Sequence, residues 1–194
     1  MSLLTKILKK KLIQKSAIVS VLGPSQSGKT TFIRYLETGI PQLEEPLSTL
    51  GIEYRAKGVK ISNWRFALID VGGQKVYQDV FWEMAIGQAD AIIYVIDATV
   101  RPEKEQLIFK YQVSQFEYVL DTIPEESVLM ILLNKQDLIA ENPITTEEFP
   151  KLYPITKIRS GTTIFLPSSA KYGTGIEKAM DRFIDAMNKS GAFS

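Results

Sequence analysis

The stretch GPSQSGKT, Gly23 to Thr30, follows the apolar run AIVSVL (17–22) and precedes TFIRYLE (31–37), which has the pattern of a helix. It fits G-x-x-x-x-G-K-[ST], a loop whose successive backbone N–H groups cradle phosphate oxygens at a helix start. Gly23 and Gly28 let the chain turn tightly, Ser25, Gln26 and Ser27 lie within the cradle, and Thr31 opens the helix. Lys29 is placed to neutralise the β- and γ-phosphates, and the Thr30 hydroxyl to bind Mg²⁺. The bland alternative, a chance glycine turn ahead of a helix, fits the strand-before, helix-after context poorly. The motif leaves open which nucleotide is held and whether its phosphate is transferred, hydrolysed or sensed.

Other apolar runs of strand length occur at 64–70, 91–97, 127–134 and 162–168, several of them apolar on both faces. Helical patterns alternate with them at 29–38, 103–122, 146–152 and 176–188. This alternation predicts an α/β P-loop NTPase fold: a doubly wound, mostly parallel six-stranded sheet with helices on both faces and ligands at the carboxyl strand ends. The segment 52–70 has two strand-like halves around Lys57–Gly58. It reads as a β-hairpin that supplies one antiparallel edge strand. One domain over 16–190 is expected, preceded by an N-terminal amphipathic helix within 1–15, with no internal repeat.

Two further strand ends carry polar sequences. Asp70 closes FALID and opens DVGGQ, where a second metal ligand, acting through water, would lie. Gly73 can offer an unhindered N–H to a γ-phosphate, and Gln74 can orient an attacking water. LLNKQDL (132–138) follows another apolar strand. Asp137 can accept from both the N1–H and the exocyclic amine of guanine, a pair that adenine lacks, so GTP and GDP are the expected ligands. Lys135 would lay its stem along the base, and Asn134 would tie this loop to the phosphate loop. SSAK (168–171) follows the last strand and brings Ser169, Ala170 and Lys171, with the Ala170 N–H expected on guanine O6.

Four such boxes in this order resemble a small GTPase, and GGQ, NKQDL and the STLG sequence at 48–51 resemble the ADP-ribosylation factor family. The resemblance covers nearly the whole chain. It implies that Thr49 caps Mg²⁺ and the γ-phosphate in the GTP state and that 52–70 is an interswitch hairpin. It also implies an exchange factor, an activating protein and effectors as partners. Several residues depart from the family pattern. The stretch between Thr49 and Asp70 is about two residues longer, Ile52 and Ile69 replace effector-surface aromatics, and SAK replaces C-A-T. Ser2 stands where a myristoylated glycine would be. The chain is therefore expected to be a divergent member. Glu45, Pro46, Leu47 and Ser48 precede Thr49 with no arginine among them, so unaided hydrolysis should be slow.

Of the 194 residues 45% are hydrophobic and 23% charged, a globular balance, and no run approaches the roughly 20 apolar residues of a membrane span. Cysteine and histidine are absent, which excludes disulfides and thiolate or imidazole metal sites. Five lysines fall within residues 1–15 and no acid precedes Glu37; beyond that arm, 18 basic residues face 22 acidic ones. Positive charge confined to a short arm argues against a nucleic-acid partner. In the arm Leu3, Leu4, Ile7 and Leu8 share a face at about 100° per residue, with Lys6, Lys9 and Lys10 opposite. An anionic membrane surface is the expected partner of the arm, against the alternatives of an ordinary packed helix or a basic tail. The expected location is cytoplasmic, with peripheral membrane association in the GTP state. Competing functional classes are a phosphate-transferring kinase, a constitutively GTP-bound receptor or structural subunit, and a soluble Ras- or Rab-like switch.

Overall fold

The computed structural model describes residues 15–44, 49–159 and 161–190. Its apolar runs form a six-stranded sheet of order β2-β3-β1-β4-β5-β6. The strands are β1 (Lys15–Leu22), β2 (Ile52–Ile61), β3 (Trp64–Val71), β4 (Ala91–Asp97), β5 (Val128–Asn134) and β6 (Thr162–Pro167). All neighbours run parallel except β2 against β3. Every residue of β4 and β5 is buried, as central parallel strands between two helical layers must be.

One layer consists of α1 (Lys29–Thr38) and α6 (Ile176–Lys189). Ile176, Met180, Phe183 and Met187 of α6 recur every three or four residues. With Phe32 and Ile33 they pack against Val19, Phe66, Leu68, Ile93 and Met130. The opposite layer holds α2 (Lys75–Tyr77), a π-helical turn (Gln78–Trp82), α3 (Glu83–Gln88), α4 (Gln106–Thr122) and the short α5 (Phe149–Leu152). There Trp82, Ile86, Phe116 and Val119 cover Ile69, Tyr94, Ile96 and Leu129.

The antiparallel edge strand forms as expected, but its turn lies elsewhere. Ile61 faces Trp64 across the two-residue loop Ser62–Asn63, with Ser62 at φ 56, rather than at Lys57–Gly58. The pairs Val59–Phe66 and Ile61–Trp64 carry the ladder past Gly58, since cross-strand aromatic and β-branched pairs favour continued pairing. Gly58, at φ 64, serves a bulge instead. Arg55 faces Leu68 and Val59 faces Phe66, so β2 carries two residues more than β3 across this interval.

Helix boundaries also differ. Glu105 N bonds to Arg101 O at 2.9 Å, which closes a turn through residues 102–104, and α4 begins only at Gln106. The pattern at 146–152 yields only four helical residues, with Glu148 turned back to accept from Thr145 N at 3.0 Å. Lys15, counted with the basic arm by charge, is the first residue of β1, and its N–H bonds to Asn63 O at 3.0 Å. The expected helix carrying Leu3, Leu4, Ile7 and Leu8 lies outside the described residues.

Phe116 sits at the centre of the second layer, its ring 5.3 Å from Tyr94, 5.6 Å from Tyr153 and 5.9 Å from Phe149. Phe116→Ala should destabilise the fold by about 3–5 kcal/mol through lost transfer energy and the residual cavity. Urea unfolding followed by the fluorescence of the buried Trp64 and Trp82 checks this, with the midpoint falling at an unchanged slope.

Candidate functional site

The sheet order puts the loops after β1, β3, β5 and β6 at one rim, the carboxyl ends of the strands, where α/β sheets hold ligands. A cavity of about 290 Å³ opens among them. Its phosphate-loop wall consists of Ser25, Gln26, Gly28, Lys29, Thr30 and Thr31. Thr49, Gly73 and Gln74 form a second wall, and Asn134, Lys135, Asp137, Ala170 and Lys171 a third. Gly23, Ser27, Asp70 and Ser169 are buried behind these walls as supports.

Asn134 joins two of these walls. Its Nδ2 donates to Ser27 O at 2.7 Å, and its Oδ1 accepts the Ala170 N–H at 2.8 Å. A Cβ at Gly28 would lie 2.2 Å from Asn134 Nδ2, and Gly28 has φ 97, so this position needs glycine twice over. The Ala170 N–H, expected on guanine O6, donates to Asn134 Oδ1 in this structure, and Ala170 lines the cavity. Ala170 braces the loop. Ser169 does likewise, pairing its backbone with Thr174 and accepting the Tyr172 N–H on its hydroxyl.

Lys29 is 5% exposed and donates to two carbonyls of its own loop, Gly23 O at 2.9 Å and Pro24 O at 2.7 Å. Burial pushes the ammonium down to about 8, with the Asp70 charge acting the other way. Asp70 is fully buried. Its Oδ2 accepts from Thr30 Oγ1 at 2.8 Å and from Thr49 Oγ1 at 3.3 Å, and the two hydroxyls are 2.9 Å apart. Three hard oxygen donors from three segments thus meet beside the phosphate loop, a set that suits Mg²⁺ rather than a softer metal. Among the described residues no cluster of three or more carboxylates competes for a cation.

Some contributors escape sequence reasoning. Asp97 Oδ2 lies 2.6 Å from Lys135 Nζ, while its Oδ1 accepts from Thr99 N and Oγ1 at 3.0 and 2.6 Å. A signal exists for it, since Asp97 ends an apolar strand just as Asp70 does. Gln42, Leu43 and Glu44 also line the cavity, and Gln42 N is tied to Lys171 O at 2.7 Å. No local pattern announces that tie.

Sheet order and loop set define the class, a P-loop NTPase of the small-GTPase type. Residues 3–187 match the profile of the ADP-ribosylation factor family. The chain is 29% identical over 176 residues to ADP-ribosylation factor-like protein 3 of Chlamydomonas reinhardtii, covering 90% of this chain and 91% of that one. It is 28% identical over 184 residues to ADP-ribosylation factor-like protein alp41 of Schizosaccharomyces pombe, covering 93% and 91%. Among solved structures it resembles the Arl6 BBS3 small GTPase of Trypanosoma brucei with bound nucleotide analogue GppNp, at TM-score 0.72 and 20% identity, over 91% of this chain and 99% of that one. The chain belongs to the ADP-ribosylation factor family. That membership implies a GTP-binding switch, and the low identities fit a divergent member.

Because burial lowers the Lys29 pKa, nucleotide binding should move a proton. At pH 8.5 the lowered pKa leaves a share of Lys29 as the neutral amine, and a phosphate charge beside it would favour the protonated form. GDP binding should therefore take up a fraction of a proton at pH 8.5, where the terminal phosphate of the ligand is already fully ionised. Calorimetric titration in buffers of differing ionisation enthalpy measures it, and a buffer-independent heat at pH 8.5 would contradict the assignment.

Proposed function

We propose that the chain binds GTP and GDP with Mg²⁺, hydrolyses GTP slowly without an activating protein, and attaches to an anionic membrane surface in its GTP state. The observation that carries this reading is one cavity whose walls include Lys29, Thr30, Thr49, Gly73, Gln74 and Asp137 together. Asp137 reads the guanine N1–H and exocyclic amine as a two-pronged acceptor, which excludes adenine. Lys135, held from behind by Asp97, lays its stem along the base. Gly23, Ser25, Gln26, Ser27, Gly28 and Thr31 shape the cradle around the phosphates, and Lys29 gives up its loop carbonyls for phosphate oxygens.

Thr30 and Thr49 would hold the cation, with Asp70 behind them acting through water. When bound, the cation supplies neutralisation of phosphate charge. Gln74, exposed at the cavity edge, orients the attacking water, and Gly73 offers its N–H to the γ-phosphate. With no arginine just ahead of Thr49, a partner is expected to supply the missing cation. An exchange factor and effectors complete the proposed cycle, in the cytoplasm.

Membrane attachment falls to the arm. Leu3, Leu4, Ile7 and Leu8 supply a short apolar face and the lysines about 1 kcal/mol each near anionic lipid. Among the described residues no helix is long and apolar enough to cross a membrane. With so short an apolar face, binding should be weak and salt-sensitive.

Two experiments test the proposal. Asp137→Asn should lower GTP and GDP affinity by at least about 100-fold and shift preference toward xanthosine nucleotides, read by calorimetry. Equal ATP and GTP binding by the unmodified protein would remove the guanine assignment. Flotation with anionic vesicles should be greater with a non-hydrolysable GTP analogue than with GDP, and should vanish when residues 1–14 are deleted. Equal flotation in both nucleotide states would leave a GTPase without a membrane switch.

A further inference from the structure

α4 buries two glutamines on the face it turns to the sheet, Gln112 at 2% and Gln115 at 0% exposure. A buried amide is costly unless satisfied, so the contacts of each report what it is for. Gln112 bonds Asp97 through both backbone groups, its Oε1 accepting from Asp97 N at 3.2 Å and its Nε2 donating to Asp97 O at 3.1 Å. Gln115 reaches farther, to the loop after β3, where its Nε2 donates to Gly73 O at 3.2 Å.

Gly73 O belongs to the peptide that joins Gly73 to Gln74. In a trans peptide the carbonyl and the N–H point opposite ways, so a donor that fixes one fixes the other. The preceding peptide is held in the same manner, by Trp82 Nε1 donating to Gly72 O at 3.1 Å. Two buried donors from two helical segments thus hold two successive peptide planes. The loop has little freedom on its other side, since a Cβ on Gly73 would lie 2.4 Å from Ser25 N and from Pro24 C. Gln74, by contrast, is exposed. The backbone it starts from therefore decides where its amide can reach.

We propose that Gln115 is a positioning residue for Gln74: by holding Gly73 O, it aims the Gln74 side chain at the water that attacks GTP. The inference rests on the proposed GTP hydrolysis and on the role proposed there for Gln74. Gln115 is buried and does not line the cavity. Its bond to Gly73 O sets its test apart from a general packing role.

The experiment is single-turnover GTP hydrolysis by the full chain, with GDP and GTP-analogue affinities measured alongside. Gln115→Met keeps the length and removes the donor; it should slow hydrolysis by about 10- to 100-fold, with both affinities within about twofold of the unmodified protein. Gln115→Glu keeps the shape and can donate only as the neutral acid, whose pKa burial raises. Its rate relative to the unmodified protein should therefore be low at pH 8.5 and climb as pH falls to 6. An unmodified rate for Gln115→Met overturns the proposal. So does a flat relative pH profile for Gln115→Glu, or a loss of both affinities in step with the rate. If Gln115→Met does not fold, the Gln115→Glu profile decides alone. An unmodified protein that binds GTP and never turns it over defeats the hydrolysis reading itself, and this inference with it, before any variant is made.

Discussion

The site depends on one buried side chain, the amide of Asn134. It is 2% exposed and spends its donor on Ser27 O and its acceptor on the Ala170 N–H. The three segments involved follow or end β1, β5 and β6, and in the sheet order β4 stands between β1 and the other two. Without the amide, a buried carbonyl and a buried N–H would each lose a partner, at about 1–3 kcal/mol apiece. Spacing between the phosphate loop and the loop that carries Asp137 would then no longer be fixed. Gly28 follows from the same amide, because any Cβ there would collide with it.

Electrostatically Lys29 and Lys135 are opposites. Lys135 already has a full counter-charge in Asp97 at 2.6 Å, itself anchored by Thr99, and its role is one of fixed shape. Lys29 is buried against neutral carbonyls, and burial lowers its pKa to about 8, with the Asp70 charge as a partial offset. A phosphate bound there, as proposed, would offset that desolvation. In the proposed cycle, attraction for the nucleotide is thus concentrated at Lys29. In the same proposal, selectivity among bases would fall to Asp137, on a loop tied down through Asn134 and Lys135.

Much of this is legible from sequence because polar residues at the ends of apolar strands are few and face one rim. Asp70, Asn134, Asp137 and the phosphate loop can be placed before any coordinates, and the buried runs at 91–97 and 128–134 specify central parallel strands. The hairpin tip resists such reading because a Lys-Gly pair signals a turn, while the pairing of Ile61 with Trp64 is a tertiary preference that overrides it. Gln115 and Trp82 are invisible for a different reason. A glutamine within a helical pattern counts as a solvent-facing residue, and its bond to Gly73 spans 42 positions. A tryptophan counts as core, and only its ring nitrogen at 3.1 Å from Gly72 O reveals a second duty.

The two residues that would sense a γ-phosphate are also not mechanically independent. Gly72 N bonds to Gly51 O at 2.8 Å, and the ladder continues without interruption from Ile52–Val71 to Arg55–Leu68. Thr49 stands two residues before that closing bond and Gly73 one residue after it. Any shift of Thr49 toward a bound phosphate therefore pulls on the same hydrogen-bonded strip that carries Gly73. The strip is regular only as far as Arg55; beyond it the bulge at Gly58 breaks the register before Val59 resumes pairing. A ladder that is stiff near the sensors and interrupted farther out favours coupling between Thr49 and Gly73 over coupling of either to the hairpin tip.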